Sequence, residues 1–530
     1  MTRIEGHGGD LLVGALRAHG VEHIFTLIGG HIFSVLDAAD RQGVRLIDVR
    51  HESGAAFAAE AHGKLARTAG IALTDAGPGA LNTVNAVASA ASNGAPMMLV
   101  VGHPPSGTTG MGMLNETNQR PVFEAIAKRV FTVAETGWIA STTLDALAAA
   151  ETRHRGPVYF DAPMDVLFGQ GEADVEPTPA GQNEAPVGAM DEAVRLLGAA
   201  ERPVVMLGSD VWADGAEKAA RALIEALRVP AFMNGMGRGV VPADHALAFS
   251  GARRHALGRA DVVVVVGTPL DFRINFGHFG AAKTIHVADD ERVLTPRAAG
   301  VAGSLVTILE SLATVGARDH DDWVAELRGV EEQKRAAYRA ELSSSATPIH
   351  PARVYRELVP RLARDGIVIA DGGDFASYAG RFVDVFEPGG WLDPGPYGCL
   401  GTSAGYALAA GTLYPERQIV VLLGDGAAGF SLADWDSLVR HGVDVTLVCG
   451  NNASWGLEKM PMKGLYGRDV VADLGAETRY DEVMRAFGGH GELVKAPDAL
   501  AAALDRALAT PGPSLVNVIT DPDAVYPRGA

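Results

Sequence analysis

Residues 418–454 read QIVVLLGDGAAGFSLADWDSLVRHGVDVTLVCGNNAS, and this stretch decides the fold. Two short apolar runs, at 418–423 and 443–448, are typical of buried strands, and a helical segment separates them. In such a βαβ unit, the first turn and the end of the second strand lie at the same edge of a parallel sheet. Asp425 and Asn452 are therefore expected to lie close together, although 27 positions separate them.

The chemistry of these two side chains predicts a cation site. A carboxylate, an amide oxygen and nearby main-chain carbonyls are hard oxygen ligands, which suit Mg²⁺ or Ca²⁺. Mg²⁺ usually completes its octahedron with phosphate oxygens. The stretch is therefore interpreted as a site that holds a diphosphate through a metal. The alternative interpretation is two ordinary loops of an α/β sheet.

The Gly-Asp-Gly of 424–426 and the Asn-Asn of 451–452 resemble, at this spacing, the diphosphate-binding motif of thiamine-diphosphate-dependent enzymes. The resemblance extends over nearly the whole chain. The chain is similar above all to the acetolactate synthase branch of this family, and it has some features of the 2-hydroxyacyl-CoA lyase and oxalyl-CoA decarboxylase branch. The resemblance implies that the Asp425 carboxylate, the Asn452 side chain and the Ser454 carbonyl bind Mg²⁺.

Length and composition predict a multidomain globular protein. A chain of 530 residues is too long for one core and suggests about three domains. The net charge of −19, without a basic patch, argues against nucleic acid and anionic membranes as partners. The apolar runs are too short to span a bilayer. The first ten residues lack the apolar core of a signal peptide, and the two cysteines, Cys399 and Cys449, fit a reducing cytoplasm.

Helical and strand patterns alternate in the first and last parts of the chain, which predicts an α/β fold with doubly wound parallel sheets. Residues 169–188, rich in Pro, Gly and acidic residues, are interpreted as a linker. Three such domains are predicted, at residues 1–170, 187–335 and 350–530. The resemblance implies that these are a pyrimidine-binding, a middle and a diphosphate-binding domain. In the family, the first domain of one subunit meets the last domain of another, so a homodimer or a dimer of dimers is expected.

Arg50-His51-Glu52 resembles the family's Arg-His-Glu motif. Thiamine diphosphate must lose the C2 proton of its thiazolium ring, and its own aminopyrimidine serves as the base when it is an imino tautomer. The resemblance implies that the Glu52 carboxylate favours this tautomer through a hydrogen bond to the far ring nitrogen. The alternative is a glutamate at a helix N-terminus, stabilised by the helix dipole.

Gly77-Pro78-Gly79 with Asn82 resembles the turn that lines the pyrimidine pocket, where glycines let the main chain approach a flat ring. The alternative is a plain strand-to-helix turn. Leu400 stands where the family usually has a methionine, the bulky apolar residue that bends the cofactor. The alternative there is a glycine-rich turn before a core helix.

Further cofactor contacts are expected from main-chain N–H groups in the turns after two strands, which suit phosphate. The cofactor-binding residues implied in this way, or by the resemblance, are Gly30, Gly373, Asp374, Gly424, Gly426, Ala427, Ala428 and Trp455.

Substrate choice is expected to depend on residues above the C2 atom. Gly30 offers open space there, and the neighbouring His31 is a candidate proton donor or, alternatively, a structural histidine. Asn115 replaces the family's glutamine, and this shorter amide speaks against ordinary acetolactate synthesis. Trp455 is a candidate roof of the pocket or, alternatively, a core residue.

The loop at 267–277 resembles the nucleotide-binding loop of the family's middle domain, through Arg273 and Asn275. Relatives hold FAD or ADP there. The alternative is an empty, vestigial site.

The sequence thus predicts an enzyme that forms or cleaves C–C bonds, a decarboxylating carboligase of the acetolactate synthase type acting on a 2-oxoacid. One alternative is cleavage of a 2-hydroxyacyl-CoA or oxalyl-CoA. A basic C-terminal tail usually helps to bind such acyl-CoA substrates, whereas Arg528 is the single basic residue of 521–530. The other alternative is an inactive cofactor-binding paralogue, against which the presence of Glu52, Asp425 and Asn452 argues.

Overall fold

Three large β-sheets organise the part of the chain that the computed structural model describes, residues 2–176, 186–295, 298–316, 318–475, 478–524 and 526. The chain divides into two compact units. The first combines Met1–Gly181 with Tyr397–Pro415 and Ser431–Val443, and the second contains the remainder. The predicted α/β class with parallel sheets is confirmed.

The N-terminal sheet lies in the first unit and consists of six parallel strands. In spatial order these are Arg45–Asp48, His23–Thr26, Gly70–Thr74, Met97–His103, Pro157–Pro163 and Arg129–Thr132. The helices along this part of the chain are Gly8–Ala18, Phe33–Gln42, Glu52–Ala66, Pro78–Leu81, Val84–Asn93, Arg120–Glu124, Ile139–Glu151 and Met164–Phe168. Chain order reverses between the second and third strands of the spatial order, which is where ligands bind in open α/β sheets.

The middle sheet lies in the second unit and has seven strands. In spatial order these are Ala248–Phe249, Ala231–Met233, Pro203–Leu207, Val262–Val266, Lys283–Ala288, Ala299–Ala302 and the antiparallel edge strand Val187–Gly188. The accompanying helices are Met190–Ala199, Ser209–Ala213, Glu217–Leu227, Arg253–Arg259, Leu305–Ala313, Asp321–Ala337 and Arg339–Leu342. Every valine of Val262–Val266 is buried, as expected for a parallel strand covered on both faces.

The C-terminal sheet has six parallel strands. In spatial order these are Trp391–Leu392, Ile367–Asp371, Ile419–Gly424, Thr446–Asn451, Ser514–Ile519 and His490–Val494. The helices in this part of the chain are Pro351–Leu358, Gly373–Phe382, Ser403–Leu413, Asp425–Ser431, Trp435–Arg440, Gly456–Tyr466, Tyr480–Phe487 and Leu500–Ala509. Numbered along the chain, its strands follow the same spatial order as those of the N-terminal sheet.

Two helices that follow strands of the C-terminal sheet along the chain belong to the first unit, Ser403–Leu413 and Trp435–Arg440. Ser403–Leu413 packs closely on Glu52–Ala66, because Gly405 has no side chain. A Cβ atom at Gly405 would lie 2.7 Å from the carbonyl oxygen of Gly54.

The interpretation of residues 169–188 as a linker is wrong at both ends. Gln170–Val175 is a strand that pairs antiparallel with Thr2–His7, and Val187–Gly188 joins the middle sheet. Exposed and half-buried residues alternate along Gln170–Val175, because one face of this ribbon packs on the helix Gly8–Ala18. Residues 177–185 lie outside the described residues.

The helix after the strand of the Gly-Asp-Gly motif begins within the motif itself. Asp425 is already the first residue of a helix, Asp425–Ser431, so the strand Ile419–Gly424 runs directly into it. Within the described ranges, no helix combines the length and the apolar character needed to cross a bilayer.

Candidate functional site

The structure brings Asp425 and the Asn-Asn loop together at the carboxyl edge of the C-terminal sheet. Gly424 lies beside Gly450 in the parallel register of two adjacent strands, so the residues that follow them emerge side by side. The main-chain N–H groups of Gly426 and Ala453 lie near the Asp425 carboxylate and favour its charged form, a contribution that lowers its pKa. Ala453 adopts a left-handed conformation with φ of 53°, and its N–H group donates to Oδ1 of Asn451 at 3.3 Å.

Asn452 is held from two sides. Its Nδ2 atom donates to Oδ2 of Asp374 at 3.2 Å, and its Oδ1 atom accepts from the N–H of Ser454 at 3.1 Å. Asp374 follows the strand Ile367–Asp371, which neighbours Ile419–Gly424 in the sheet. Asp374, Asp425 and Asn452 thus come from the ends of three adjacent strands, at the point where the chain order reverses.

This cluster buries two carboxyl groups, Asp374 and Asp425. Burial raises the pKa of Asp425 to about 7, with a further upward contribution from Asp374, while the main-chain N–H groups oppose the shift. Burial also raises the pKa of Asp374. Among the described residues, neither carboxylate has a Lys or Arg partner. A donor set of buried oxygens without a basic partner fits a divalent cation.

The main chain beside the cluster leaves room for an anion. Gly372 and Gly373 have φ values of 67° and 73°, which favour glycine, and the helix Gly373–Phe382 begins there. The N–H of Phe375 in its first turn donates to Oδ1 of Asp374 at 2.8 Å, and the N-terminal end of a helix suits phosphate. A Cβ atom at Gly373 would meet nothing within 4 Å. Ala427 and Ala428 are buried in the first turn of the helix Asp425–Ser431. The arrangement fits a metal-bound diphosphate.

Trp455 lies against this main chain. A Cβ atom at Gly426 would lie 2.4 Å from Cζ3 of the indole ring, so only glycine lets the ring come so close. The ring of Phe430 meets Trp455 edge-on at 6.3 Å. Trp455 itself is half-buried, and Ser454 is buried with an Oγ atom that has no hydrogen-bond partner.

A second group of predicted residues meets in the first unit. Glu52 is the first residue of the helix Glu52–Ala66, so the helix-dipole interpretation also applies to it. Asn82 donates a hydrogen bond to Oε2 of Glu52 at 2.9 Å. A Cβ atom at Gly79 would lie 3.6 Å from Oε1 of Glu52. Glu52, Gly79 and Asn82 therefore lie side by side.

The neighbouring turn is tightly built. Gly77 has φ of 57°, and a Cβ atom there would lie 2.5 Å from the carbonyl oxygen of Asn115. The N–H group of Gly77 donates to Oε1 of the buried Gln119 at 2.9 Å. Leu400 is half-buried in the loop before the helix Ser403–Leu413, a segment of the same first unit.

Sequence reasoning missed Asp434, which holds the turn carrying Glu52. Its buried carboxylate accepts the N–H of Arg50 at 2.7 Å and the hydroxyl of Ser437 at 3.1 Å. Burial raises the pKa of Asp434. A Cβ atom at Gly54 would lie 2.3 Å from the Asp434 carboxylate. No local pattern signals this contact, since 384 positions separate Arg50 from Asp434.

Sequence reasoning also missed Asp75, which stands directly before the Gly-Pro-Gly turn. Its carboxylate accepts hydrogen bonds from both His31 and Asn115, and so unites the two predicted substrate residues. Gly30 offers the expected open space, because a Cβ atom there would meet nothing within 4 Å.

The loop at the carboxyl end of Val262–Val266 exposes two aromatic rings, whereas its arginine side chain is paired with an aspartate. Arg273 forms a two-pronged ion pair with Asp271. Asn275 donates to the carbonyl of His278 at 2.9 Å. Phe272 and Phe276 are 63% and 55% exposed. The loop lies where the strand order of the middle sheet reverses, the usual place for a nucleotide in this type of sheet.

Comparison with known protein families gives three matches along the chain. Residues 6–122 match the N-terminal thiamine pyrophosphate (TPP) binding domain of thiamine pyrophosphate enzymes. Residues 190–312 match their central domain, and residues 371–518 their C-terminal TPP binding domain. Thiamine pyrophosphate is another name for thiamine diphosphate.

Individual relatives agree with this result. The chain is 48% identical to the acetolactate synthase large subunit IlvG of Mycobacterium tuberculosis, over 98% of this chain and 97% of the relative. It is 34% identical to 2-hydroxyacyl-CoA lyase 2 of Caenorhabditis elegans, over 97% and 89%. It is also 34% identical to 2-hydroxyacyl-CoA lyase 2 of Homo sapiens, over 92% and 85%. The chain therefore belongs to the thiamine pyrophosphate enzyme family.

Proposed function

We propose that this protein is a thiamine-diphosphate- and Mg²⁺-dependent enzyme that decarboxylates a 2-oxoacid and joins the remaining fragment to a second carbonyl compound. The convergence of Asp374, Asp425 and Asn452 at one sheet edge carries the proposal, because it offers oxygen ligands for a metal beside an N–H cradle for a diphosphate. The similarity to an acetolactate synthase over nearly the whole chain supports the choice of reaction.

The residues of the second unit would hold the diphosphate end. The Asp425 carboxylate, the Asn452 side chain and the Ser454 carbonyl would bind Mg²⁺. Main-chain N–H groups would bind the diphosphate oxygens, with glycines and Trp455 shaping the channel beside them. The residues that would contact the diphosphate in this way are Gly373, Asp374, Gly424, Gly426, Ala427 and Ala428.

The residues of the first unit would hold and tune the ring end. When bound, the cofactor supplies a sink for the electrons of a carbanion formed next to a carbonyl. Glu52 would share a proton with a nitrogen of the aminopyrimidine ring, and Asn82 keeps its carboxylate in place. Gly30 and Gly77 would line the ring, and Leu400 would support it from below.

His31 and Asn115 would face the substrate. The short side chain of Asn115 reaches less far than the glutamine found at this place in the family, so an acceptor other than a second pyruvate is compatible with the site.

The proposal also includes the domain organisation and the assembly. The chain has three domains, at residues 1–170, 187–335 and 350–530, and forms a homo-oligomer that is a dimer of dimers. In this assembly the pyrimidine-binding part of one subunit serves the diphosphate-binding part of another.

A nucleotide, FAD or ADP, in the middle domain is a separate part of the proposal. The exposed rings of Phe272 and Phe276 beside Arg273 and Asn275 support it, since aromatic faces stack on flat bases. Mass spectrometry and absorbance of small molecules released from the purified protein test this point. A flavin spectrum or an ADP mass supports it, and a protein free of both contradicts it.

Cleavage of a 2-hydroxyacyl-CoA is the second candidate function. The 34% identity to 2-hydroxyacyl-CoA lyase 2 over most of the chain favours it. The same Glu52 and Asp425 would serve this reaction, which differs in the substrate bound above His31.

One experiment separates the candidates. The purified protein is incubated with thiamine diphosphate, Mg²⁺ and pyruvate, and CO₂ and acetolactate are measured, while a parallel sample receives a 2-hydroxyacyl-CoA and is assayed for formyl-CoA. Product from the first sample only supports the proposal, and product from the second only supports the alternative. No product from either, together with normal cofactor binding, supports an inactive paralogue.

A further inference from the structure

The carboxylate of Asp75 bonds to both residues that we assign to the substrate. Its Oδ1 atom accepts two hydrogen bonds from His31, from the main-chain N–H at 3.0 Å and from ring atom Nδ1 at 2.8 Å. Its Oδ2 atom accepts a hydrogen bond from the side-chain amide of Asn115 at 3.3 Å. Both oxygens of one carboxylate are therefore engaged, each by a different candidate residue.

We propose that Asp75 is a positioning residue of the substrate pocket, which fixes the tautomer of His31 and docks the loop that carries Asn115. The assignment of this pocket to a substrate rests on the proposed function, whereas the bonds of Asp75 do not depend on it.

The first part of the proposal follows from hydrogen-bond chemistry. A carboxylate oxygen accepts hydrogen bonds, so the Nδ1 atom of His31 carries a proton that points to Asp75. Within the described part of the chain, the Nε2 atom has no hydrogen-bond partner, and it is not among the fully buried unpaired polar atoms. Nε2 carries no proton in this tautomer, so it is the ring atom that remains available to accept a hydrogen bond from a hydroxyl of the substrate, as a base rather than as the predicted proton donor.

Close packing keeps the two side chains in this arrangement. A Cβ atom at Gly29 would lie 2.3 Å from Cβ of Asp75, and one at Gly102 would lie 2.6 Å from Cβ of His31. Each neighbouring glycine therefore leaves the space that one member of the pair occupies, and a side chain at either glycine would displace Asp75 or His31.

The second part follows from the construction of the loop. The Glu116 carboxylate accepts the N–H groups of Gly110, Gly112 and Met113, the last two at 2.8 and 3.0 Å, so the loop is closed on itself. Asn115 lies in this closed loop with φ of 61°. Its bond to Asp75 ties the loop to the end of the strand Gly70–Thr74. Removal of the Asp75 side chain would break the bond between the loop and the strand end, while the bonds of Glu116 within the loop would remain.

A test on the cofactor-free protein uses ¹⁵N-labelled histidine and NMR at neutral pH, with His31→Gln to identify the His31 signals. In the unmodified protein, we expect a protonated Nδ1 and an unprotonated Nε2. Asp75→Ala should convert His31 to a mixture of tautomers, whereas Asp75→Asn, whose amide oxygen also accepts, should largely preserve the Nδ1–H form. Asp145→Asn, at an exposed position of the same unit, is the matched control. A His31 tautomer that is unchanged in Asp75→Ala would overturn the first part.

Hydrogen exchange tests the docking of the loop in the same cofactor-free samples. Asp75→Ala should accelerate exchange in the peptide 106–116, and Glu116→Gln should accelerate it further, because that variant opens the loop itself. Unchanged exchange in Asp75→Ala contradicts the docking role. If Asp75→Ala does not fold, Asp75→Thr replaces it in both experiments, since a threonine is too short to reach both partners.

Kinetics with the loaded enzyme complete the test. We expect Asp75→Ala to lower kcat on the order of 10- to 100-fold, with less change in KM and unchanged affinity for the cofactor. Unchanged kcat would contradict a role in substrate positioning. Failure of the unmodified protein to bind thiamine diphosphate would refute the proposed function instead, and the NMR result would still decide the role of Asp75.

Discussion

The side-chain amide of Asn452 donates a 3.2 Å hydrogen bond to the carboxylate of Asp374, a residue 78 positions earlier in the chain. This bond joins the loops after two strands of the C-terminal sheet. It also sets the orientation of the amide, with Nδ2 towards Asp374 and Oδ1 on the other side. The oxygen that we assign to Mg²⁺ is therefore positioned by a residue that is not assigned as a ligand.

Replacement of Asp374 tests this relationship. Asp374→Ala removes the hydrogen bond to Nδ2 of Asn452 and keeps the one from the Ser454 N–H to Oδ1, so the amide is held less firmly. We expect the Mg²⁺-dependent affinity for thiamine diphosphate to fall on the order of 10- to 100-fold. Isothermal titration calorimetry measures the affinity, and Asp498→Ala, at an exposed position of the same unit, is the control. Equal affinities for Asp374→Ala and the unmodified protein would show that the bond is dispensable.

Glu52→Gln should preserve the fold and remove most of the activity. The glutamine oxygen can still accept the hydrogen bond of Asn82, but a neutral amide cannot share a proton with the cofactor ring. We expect kcat to fall by about 100-fold or more, with an unchanged melting temperature. Glu135→Gln, at an exposed position of the same unit, should behave as the unmodified protein. Activity near the unmodified level in Glu52→Gln would contradict the assigned role.

Alanine substitutions at two glycines of the helix Asp425–Ser431 should change the free energy of unfolding in opposite directions. In Gly426→Ala, the new methyl group would lie 2.4 Å from the Trp455 ring, so the ring must move, at a cost of about 1–3 kcal/mol. In Gly429→Ala, the methyl group meets nothing within 4 Å, and the helix should gain about 0.5–1 kcal/mol. Denaturant unfolding measures both changes, and tryptophan fluorescence reports the ring. Similar stability changes in the two variants would mean that the Trp455 contact is not a constraint.

The histidine pair His23 and His62 predicts a loss of stability in acid. Burial lowers the pKa of His62 from 6.5 to about 4, with a contribution from His23. The unfolded chain therefore takes up the proton first, and the stability provided by neutral His62 is lost as the pH falls from 6.5 towards 4. At pH 5 the loss is about 1–2 kcal/mol.

His62→Gln removes this titration, so its stability should depend less on pH than that of the unmodified protein. Melting temperatures of both proteins at pH 7.5 and pH 5 test the point. The control is His19→Gln, because a hydrogen bond to Glu151 raises the pKa of His19 instead and its removal should not reduce acid sensitivity. Parallel pH profiles for His62→Gln and the unmodified protein would contradict the prediction.

Much of the fold is readable from the sequence because its central strands are continuous apolar runs. Val262–Val266 is buried on both faces of a parallel sheet, and such strands need no polar alternation. The ribbon of Thr2–His7 and Gln170–Val175 was not predictable in this way. Both strands are polar and partly exposed, and 169 positions separate the paired side chains of Arg3 and Glu172.

The candidate site was predictable where its residues follow strand ends and lie close to a motif, as Asp425, Asn452 and Glu52 do. The supporting residues were not. Asp434 reaches the turn of Arg50 across 384 positions, and only tertiary packing creates that contact. Asp75 carried a local signal, a carboxylate directly before the Gly-Pro-Gly turn, but its partners lie 44 and 40 positions away.

A metal-bound diphosphate at Asp425 is the central claim, and calorimetric titration with thiamine diphosphate tests it most directly. We expect saturable binding in the presence of Mg²⁺, and loss of binding both after chelation of the metal and in Asp425→Asn. Absence of binding with Mg²⁺ present, or equal binding to Asp425→Asn, would contradict the account.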